Sequence, residues 1–481
     1  MIQALVGVIR RGLKVFDAGN PSRKGEKTVK QYLILFIALI LCLAVFVACD
    51  EIPATDTTAG EEGTTAEPST RTPTEAPTEQ LTEAPTEAPT EPEPALTELV
   101  IDAENSGRIL VAYYNRGEGP ASDSVFKSAE GFRDRIKSKT DLMVRITRVR
   151  ETSDSNAVSF LIGETPYEET AAVKASLPAN SYAVQVVGRK IVIIGSDDVL
   201  TVKALKDFCD RVLDNPERTM AGKLIILPED SFTVTLDKPY TVGDMVADGL
   251  TPTADYTEIL HTPKQGQYSI SQGAASDGTF VYIALRNSDD SGAVIAKHRL
   301  DDGSFVAVSE PMNLGHANDM TFNTEKNLLV VAHGQKQGKI ITLVNPDTLE
   351  FIEDVNIEKG AGAISYNPAT NAYAISQGGK SLHMLDKDLG YVTSHERTKL
   401  EGYTAQGMGS DENYIYFPMS GAGQNILDTF DWEGNRVCQV ILPTPHESES
   451  LFYVNGRHFV SFNYDGGTVY EIFFRCYMTA E

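Results

Sequence analysis

In the C-terminal half of the chain, apolar and polar residues alternate in short runs that can be laid over one another. Five stretches align: SQGAASDGTFVYIAL (271–285), ANDMTFNTEKNLLVVAH (317–333), AGAISYNPATNAYAISQ (361–377), AQGMGSDENYIYFPMSG (405–421) and SESLFYVNGRHFVSFN (448–463). Gln272, Asn318, Gly362, Gln406 and Glu449 hold the same place in them, at spacings of 46, 44, 44 and 43 residues. An alternation with a period of two marks half-buried strands. Polar turns follow (LDDGS, NPDTL, DKDLG, DWEGN), and then a further β-rich run. Every unit therefore predicts several short antiparallel strands.

A repeat of this length, made of short strands, resembles the blade of a β-propeller, and five repeats imply a five-bladed ring. The fifth unit ends at GTVYEIFFRCYM, one strand short of the others. YTEILHTP (256–263) can supply the missing strand and close the ring, which removes exposed sheet edges. In such a ring the first strand of each blade lines the axis. The loops entering these strands share one face with the loops joining the second and third strands. That face is expected to display Tyr268, Gln272, His316, Asn318, Asp319, Tyr403, Gln406, His446 and Glu449. It also carries the loops RNSDDSGA, HGQKQGK, QGGK, SGAGQN and NYDGG. Amide, imidazole and phenol groups around a concave mouth suit a polar ligand with many hydroxyls. The expected partner is an extracellular glycan or cell-envelope polymer.

The segment LGHANDMTFN (314–323) brings a histidine, an amide and a carboxylate together, yet it is also the first strand of the second repeat. Strand side chains at odd separation point to opposite faces, so His316 and Asp319 should diverge rather than share a metal. No metal ligand and no cofactor is assigned. Calcium on the loop carboxylates Asp289, Asp290 and Asp465 is the form that a metal site would take. Glycoside hydrolysis needs two carboxyl groups facing each other about 5–10 Å apart. Only Glu449 is acidic at the aligned positions, with Asp319 one place off and Glu447 beside it, so no catalytic residue is assigned. A hydrolase or lyase in the funnel, the latter with His316 or His446 as base, remains the first alternative to binding. An interaction scaffold is the second. The one tryptophan, Trp432, falls in a turn on the opposite face.

Residues 97–235 alternate between strand and helix patterns. RILVAYY (108–114) is followed by SDSVFKSAEGFRDRIKSK, in which Val125, Phe126, Ala129, Phe132 and Ile136 recur at helical steps. MVRITRV and VSFLIGE are further strands, and YEETAAVKASL is a second helix. YAVQVVGRKIVIIGS reads as a hairpin turning at Gly188-Arg189, and VLTVKALKDFCDRVLD as the last helix. IILP and FTVTL are candidate edge strands. The fold class is a small α/β sandwich followed by an all-β five-bladed propeller. The run SFLIGET, NSYAVQVVGRKIVIIGSDD and ALKDFCDRVL resembles the non-catalytic α/β domain that precedes the barrel in β-hexosaminidases and bacterial α-glucuronidases. The resemblance implies a glycan-related setting and brings no catalytic residue with it.

The N-terminal end has a different character. Seven basic side chains and two acidic ones precede Cys49, and YLILFIALILCLAVFVA (32–48) has no charge. At ~1.5 Å per residue, this apolar run is a little short for a ~30 Å hydrocarbon core. A basic start, an apolar run and a small residue before a cut describe an export signal. FVAC resembles a bacterial lipobox, which implies lipidation of Cys49. An uncleaved membrane helix is the rival, and both place the acidic remainder outside the cell. From Glu51 to Pro94 the chain is mostly Thr, Pro, Glu and Ala, with the near-repeat TEAPTEAPTEPEP. This stretch is expected to be disordered, with an extended reach on the order of 130 Å. The resulting division is a signal or membrane segment (1–48), a linker (49–96), the α/β sandwich (97–235), a connector (236–255) and the ring (256–481).

Charge narrows the partners. The net charge is −25, and loss of the basic leader would take it to −30. Nucleic acid is not an expected partner, because phosphate binding needs clustered Lys and Arg and the field of this acidic chain has the wrong sign. Beyond Cys49 only Cys209, Cys438 and Cys476 remain, without metal-type spacing. The pattern of ALKDFCDRVL buries Cys209, and the sequence leaves the pairing of Cys438 with Cys476 open.

Overall fold

A computed structural model of the chain describes residues 98–105, 107–112, 123–153, 156–378, 380–421, 423–444 and 446–480. The apolar leader, Cys49 and the Thr/Pro/Glu-rich stretch lie outside the described residues. Among those described, no helix is long and apolar enough to cross a membrane.

The first part is built on a six-stranded mixed sheet. Its strands are β2 (Gly107–Ala112), β3 (Arg145–Val149), β4 (Val158–Ile162), β5 (Ser181–Val187), β6 (Lys190–Gly195) and β9 (Phe232–Thr235), in the order β3-β2-β4-β6-β5-β9. A separate small sheet joins β1 (Leu99–Ile101), β8 (Lys223–Ile226) and β7 (Thr219–Met220). β2, β3, β4 and β6 run parallel, and β5 pairs antiparallel with β6 across the turn at Gly188, where φ is +56°. Glycine adopts that backbone without steric cost. FTVTL lies at the sheet edge as β9, whereas IILP belongs to the small sheet.

Helices α1 (Asp123–Thr140) and α3 (Asp198–Phe208) cover one face of the six-stranded sheet, and α2 (Glu168–Ser176) packs on the other. The stripe of Val125, Ala129, Phe132 and Ile136 buries α1. Phe132 packs edge-on to Phe160 and Phe208 at ring separations of 5.0 and 5.9 Å. Each such buried ring contributes about 1.5–3 kcal/mol. Asp197 caps α3 by accepting from Leu200 N at 2.8 Å. The helix ends in a π-helical turn at Cys209–Leu213. Cys209 is fully buried, which pushes its thiol up to about 12. Cys209, Cys438 and Cys476 are all free.

Among the described residues five antiparallel sheets follow in a propeller-like succession, four of them four-stranded and one five-stranded. After α4 (Val242–Ala247) and β10 (Thr251–Thr262), the first blade holds β11 (Ile270–Ser276), β12 (Phe280–Arg286), β13 (Ala293–Arg299) and β14 (Phe305–Val308). The second holds β15 (Asp319–Asn323), β16 (Leu328–Ala332), β17 (Ile340–Val344) and β18 (Phe351–Asn356). The third holds β19 (Ala363–Asn367), β20 (Ala372–Ser376), β21 (Ser381–Leu385) and β22 (Tyr391–Glu396). In the fourth the inner strand is split into β23 (Tyr403–Ala405) and β24 (Gly409–Ser410), followed by β25 (Tyr414–Gly421), β26 (Gln424–Asp431) and β27 (Arg436–Leu442). The fifth joins β28 (Glu447–Val454), β29 (Arg457–Asn463) and β30 (Gly467–Tyr477) to β10.

β10 pairs antiparallel with β30 along nearly its whole length, so the segment preceding the first repeat completes the last blade. The inner strands touch in turn: β11 meets β15, β15 meets β19, β19 meets β24, β24 meets β28, and β28 meets β11. The turns after the inner strands recur as well. Asn327, Asn371 and Asn455 take left-handed backbone (φ 53°, 52° and 52°), a conformation that asparagine tolerates. The last residues of β30 reach the first part of the chain, where Cys476 and Met478 join the core beneath α1 and Met478 N donates to Ser128 Oγ at 3.0 Å.

Candidate functional site

The axis of the ring is filled from within. Asp319, the first residue of β15, is fully buried. Its Oδ2 accepts from Ile364 N and Met408 N, each at 2.8 Å, and its Oδ1 from Met320 N at 3.0 Å and Ser450 Oγ. One carboxyl thus ties blades two, three, four and five. Two glycines make room for it. A Cβ on Gly273 would lie 2.6 Å from the Asp319 carbonyl carbon, and one on Gly407 would lie 3.0 Å from its Oδ1. Burial pushes the Asp319 carboxyl up to about 8, against the four donors that favour its charge. Gln272 and Glu449 are also buried, at 5 % and 4 % exposure. Gln272 Nε2 donates to Ser271 O at 2.7 Å. Burial holds the Glu449 carboxyl well above the usual range. The nearby charge of Glu447 adds to this, while Arg286 and Asn463 oppose it.

A belt of amides lies at the same mouth. Asn318 Nδ2 donates to the carbonyls of Gly362 and of Gln406, the latter at 2.7 Å, and Gln406 Nε2 donates to Glu447. The belt therefore runs across blades two to five. His316 Nδ1 sits 3.1 Å from Asp290, which pairs with Arg286 at 3.0 Å. Arg286 Nε and Ser271 Oγ are buried without a hydrogen-bond partner among the described residues. The Tyr403 hydroxyl accepts from Gln424 Nε2 at 2.9 Å, and the Tyr268 hydroxyl from Gln267 Nε2 at 3.1 Å. His446 stacks on Tyr464 with rings 3.8 Å apart and 20° from parallel, and Tyr464 is 49 % exposed.

Of the nine residues singled out from the sequence, Gln272, Asp319 and Glu449 point into packed surroundings. Asn318 and Gln406 join directly in the belt, and His316 belongs to the Asp290–Arg286 group. Tyr268, Tyr403 and His446 each have a separate partner. Arg286, Gln424 and Tyr464 were not singled out. All three border loops that join second and third strands, and that position was their only signal.

The loop carboxylates weighed for calcium have separate partners: Asp289 accepts from Ser291 N at 3.1 Å, Asp465 pairs with Lys264 at 3.2 Å, and Asp290 has Arg286 and His316. Among the described residues no group of three or more His, Cys, Asp or Glu side chains is placed to hold a metal ion. Trp432 lies in the opposite turn, where its Nε1 donates to Asp411 O at 3.2 Å. A separate cleft of about 360 Å³ lies between the first part and the fifth blade, lined by Tyr240, His458, Phe474 and Arg457, the last paired with Glu471 at 2.8 Å.

No family model matches the chain, and no curated protein matches it. Among solved structures it is similar to glutaminyl cyclase from Myxococcus xanthus, at 10 % identity over 48 % of this chain and 99 % of that one, with a TM-score of 0.36. It is similar to a luciferin-regenerating enzyme at 10 % identity, over 46 % of this chain and 95 % of that one, TM-score 0.31. BamB from Moraxella catarrhalis matches at 13 % identity, over 41 % and 57 % of the two chains, TM-score 0.23.

Proposed function

We propose that the chain is an exported, membrane-anchored protein whose propeller binds a glycan or cell-envelope polymer across the loop-bearing face of the ring. The observation that carries this is the Tyr464–His446 stack, half exposed beside a belt of side-chain amides. An exposed aromatic face next to fixed amides suits the apolar face and hydroxyl edge of a sugar ring. Because the axis is occupied by Asp319, Gln272 and Glu449, the polymer would lie across the mouth rather than thread into it. The six-stranded sheet would be a companion of the same setting, like the non-catalytic domain that its sequence resembles. Lipidated Cys49, or an uncleaved apolar segment, would hold the protein at the outer face of the membrane.

A glycan array probed with the full chain tests the binding. Hits that Tyr464→Ala with His446→Ala abolishes support it, and hits that survive move the site elsewhere. A second reading, a protein-interaction scaffold, is favoured by the filled axis. An array without hits, together with a protein recovered by crosslinking from the Gln406 side of the ring, supports that reading instead.

A further inference from the structure

Residues 133–150 run against the charge of the chain. They hold seven basic side chains and two acidic ones, in a protein of net charge −25. Arg135 and Lys139 are engaged by Asp214. Arg133, Lys137 and Arg145 instead line a shallow groove of about 430 Å³ between the second half of α1 and the start of β3. Its floor is apolar, from Leu142, Val144 and Ile146, and Met143 stands beside it at 75 % exposure. Arg133 reaches its neighbour Asp134 at 2.8 Å, and among the described residues no carboxylate pairs with Lys137 or Arg145. β3 is also the terminal strand of its sheet and, among the described residues, is paired only with β2. Its outer edge therefore presents backbone N–H and C=O groups without a strand partner among the described residues.

We propose that this edge receives an acidic peptide segment of a protein partner, laid along β3 as an added strand with its carboxylates over Arg133, Lys137 and Arg145. Strand addition draws affinity from main-chain hydrogen bonds and specificity from alternate side chains. The apolar floor and Met143 would take the partner's alternate apolar residues. The rest of the chain is acidic and repels such a segment, so the field favours this one edge. A polyanion without backbone amides could use the cations but not the strand edge, which is why a peptide is the better fit.

The test is independent of ligand binding at the ring face. The full chain is titrated with a short synthetic peptide alternating glutamate and valine, and hydrogen exchange is followed at the amides of β3. Saturable binding that weakens with salt, with added protection of β3, is expected. Lys137→Glu with Arg145→Glu should weaken binding roughly tenfold. Both side chains are exposed, so the melting temperature should stay unchanged. A backbone N-methylated peptide should not bind. Equal binding of the methylated peptide, or of polyphosphate, would overturn strand addition. Indifference to the charge reversal, or no binding at all, would overturn the site.

Discussion

Ser450 Oγ donates a hydrogen bond to Oδ1 of Asp319, joining blade five to blade two across the axis although their inner strands are not neighbours in the ring order. With the three backbone donors from blades two, three and four, Asp319 acts as the hub of the ring. Replacing it leaves four buried donors facing an empty space. Asp319→Ala should cost roughly 3–5 kcal/mol, and Asp319→Asn less, because one oxygen still accepts. Denaturant unfolding of the two variants checks the order. Equal and small losses would remove the hub.

The same carboxyl predicts a pH dependence. Its folded value, about 8, lies above the value of about 4 expected in the unfolded chain. Between the two, the folded state binds more protons than the unfolded one. The stability from this group is therefore fully present below about pH 4 and is lost as pH rises towards 8. The difference in unfolding free energy between the natural chain and Asp319→Asn should fall steadily across that window. A flat difference would mean that the four donors outweigh burial and keep the carboxylate charged.

A second buried carboxylate holds two blades together. Asp428 is fully buried, accepts from Arg436 Nε at 2.8 Å, and accepts from Arg397 Nη2, which arrives from the end of blade three, at 3.1 Å. The Arg397 side chain is 1 % exposed, and its guanidinium lies 3.7 Å over the Phe417 ring. Asp428→Ala strands a buried guanidinium and should cost roughly 3–5 kcal/mol. Adding Arg397→Met to that variant should restore part of the loss. A double variant no more stable than the single one would show that the charge is not the cause.

Gly131 tests the junction between the first part and the ring. A Cβ there would lie 2.5 Å from the Met478 carbonyl oxygen, which belongs to the backbone and cannot swing aside. Gly131→Ala should cost roughly 1–3 kcal/mol and speed amide exchange at Met478 N, which bonds Ser128. Unchanged exchange there would mean that the tail is held elsewhere.

The repeat spacing and turn residues made the five sheets legible, because alternation and turn chemistry are local properties of the chain. The hairpin at Gly188 and the closing role of β10 were legible for the same reason. The role of Asp319 was not. Alternation can point a side chain at an axis, but whether it meets solvent or four donors depends on how closely the blades approach. That distance is set by Gly273 and Gly407 from other repeats, one of them in the break between β23 and β24 that alignment alone passes over. Likewise Arg286 and Tyr464 have no repeat partner in sequence, since loops between second and third strands differ from blade to blade.

The pairing of β10 with β30, and the burial of Cys476 and Met478 beneath α1, make one strand serve two structures. β30 both seals the last blade and leads into residues that complete the core of the first part. Unzipping this one strand would therefore leave two incomplete bodies rather than one finished and one missing.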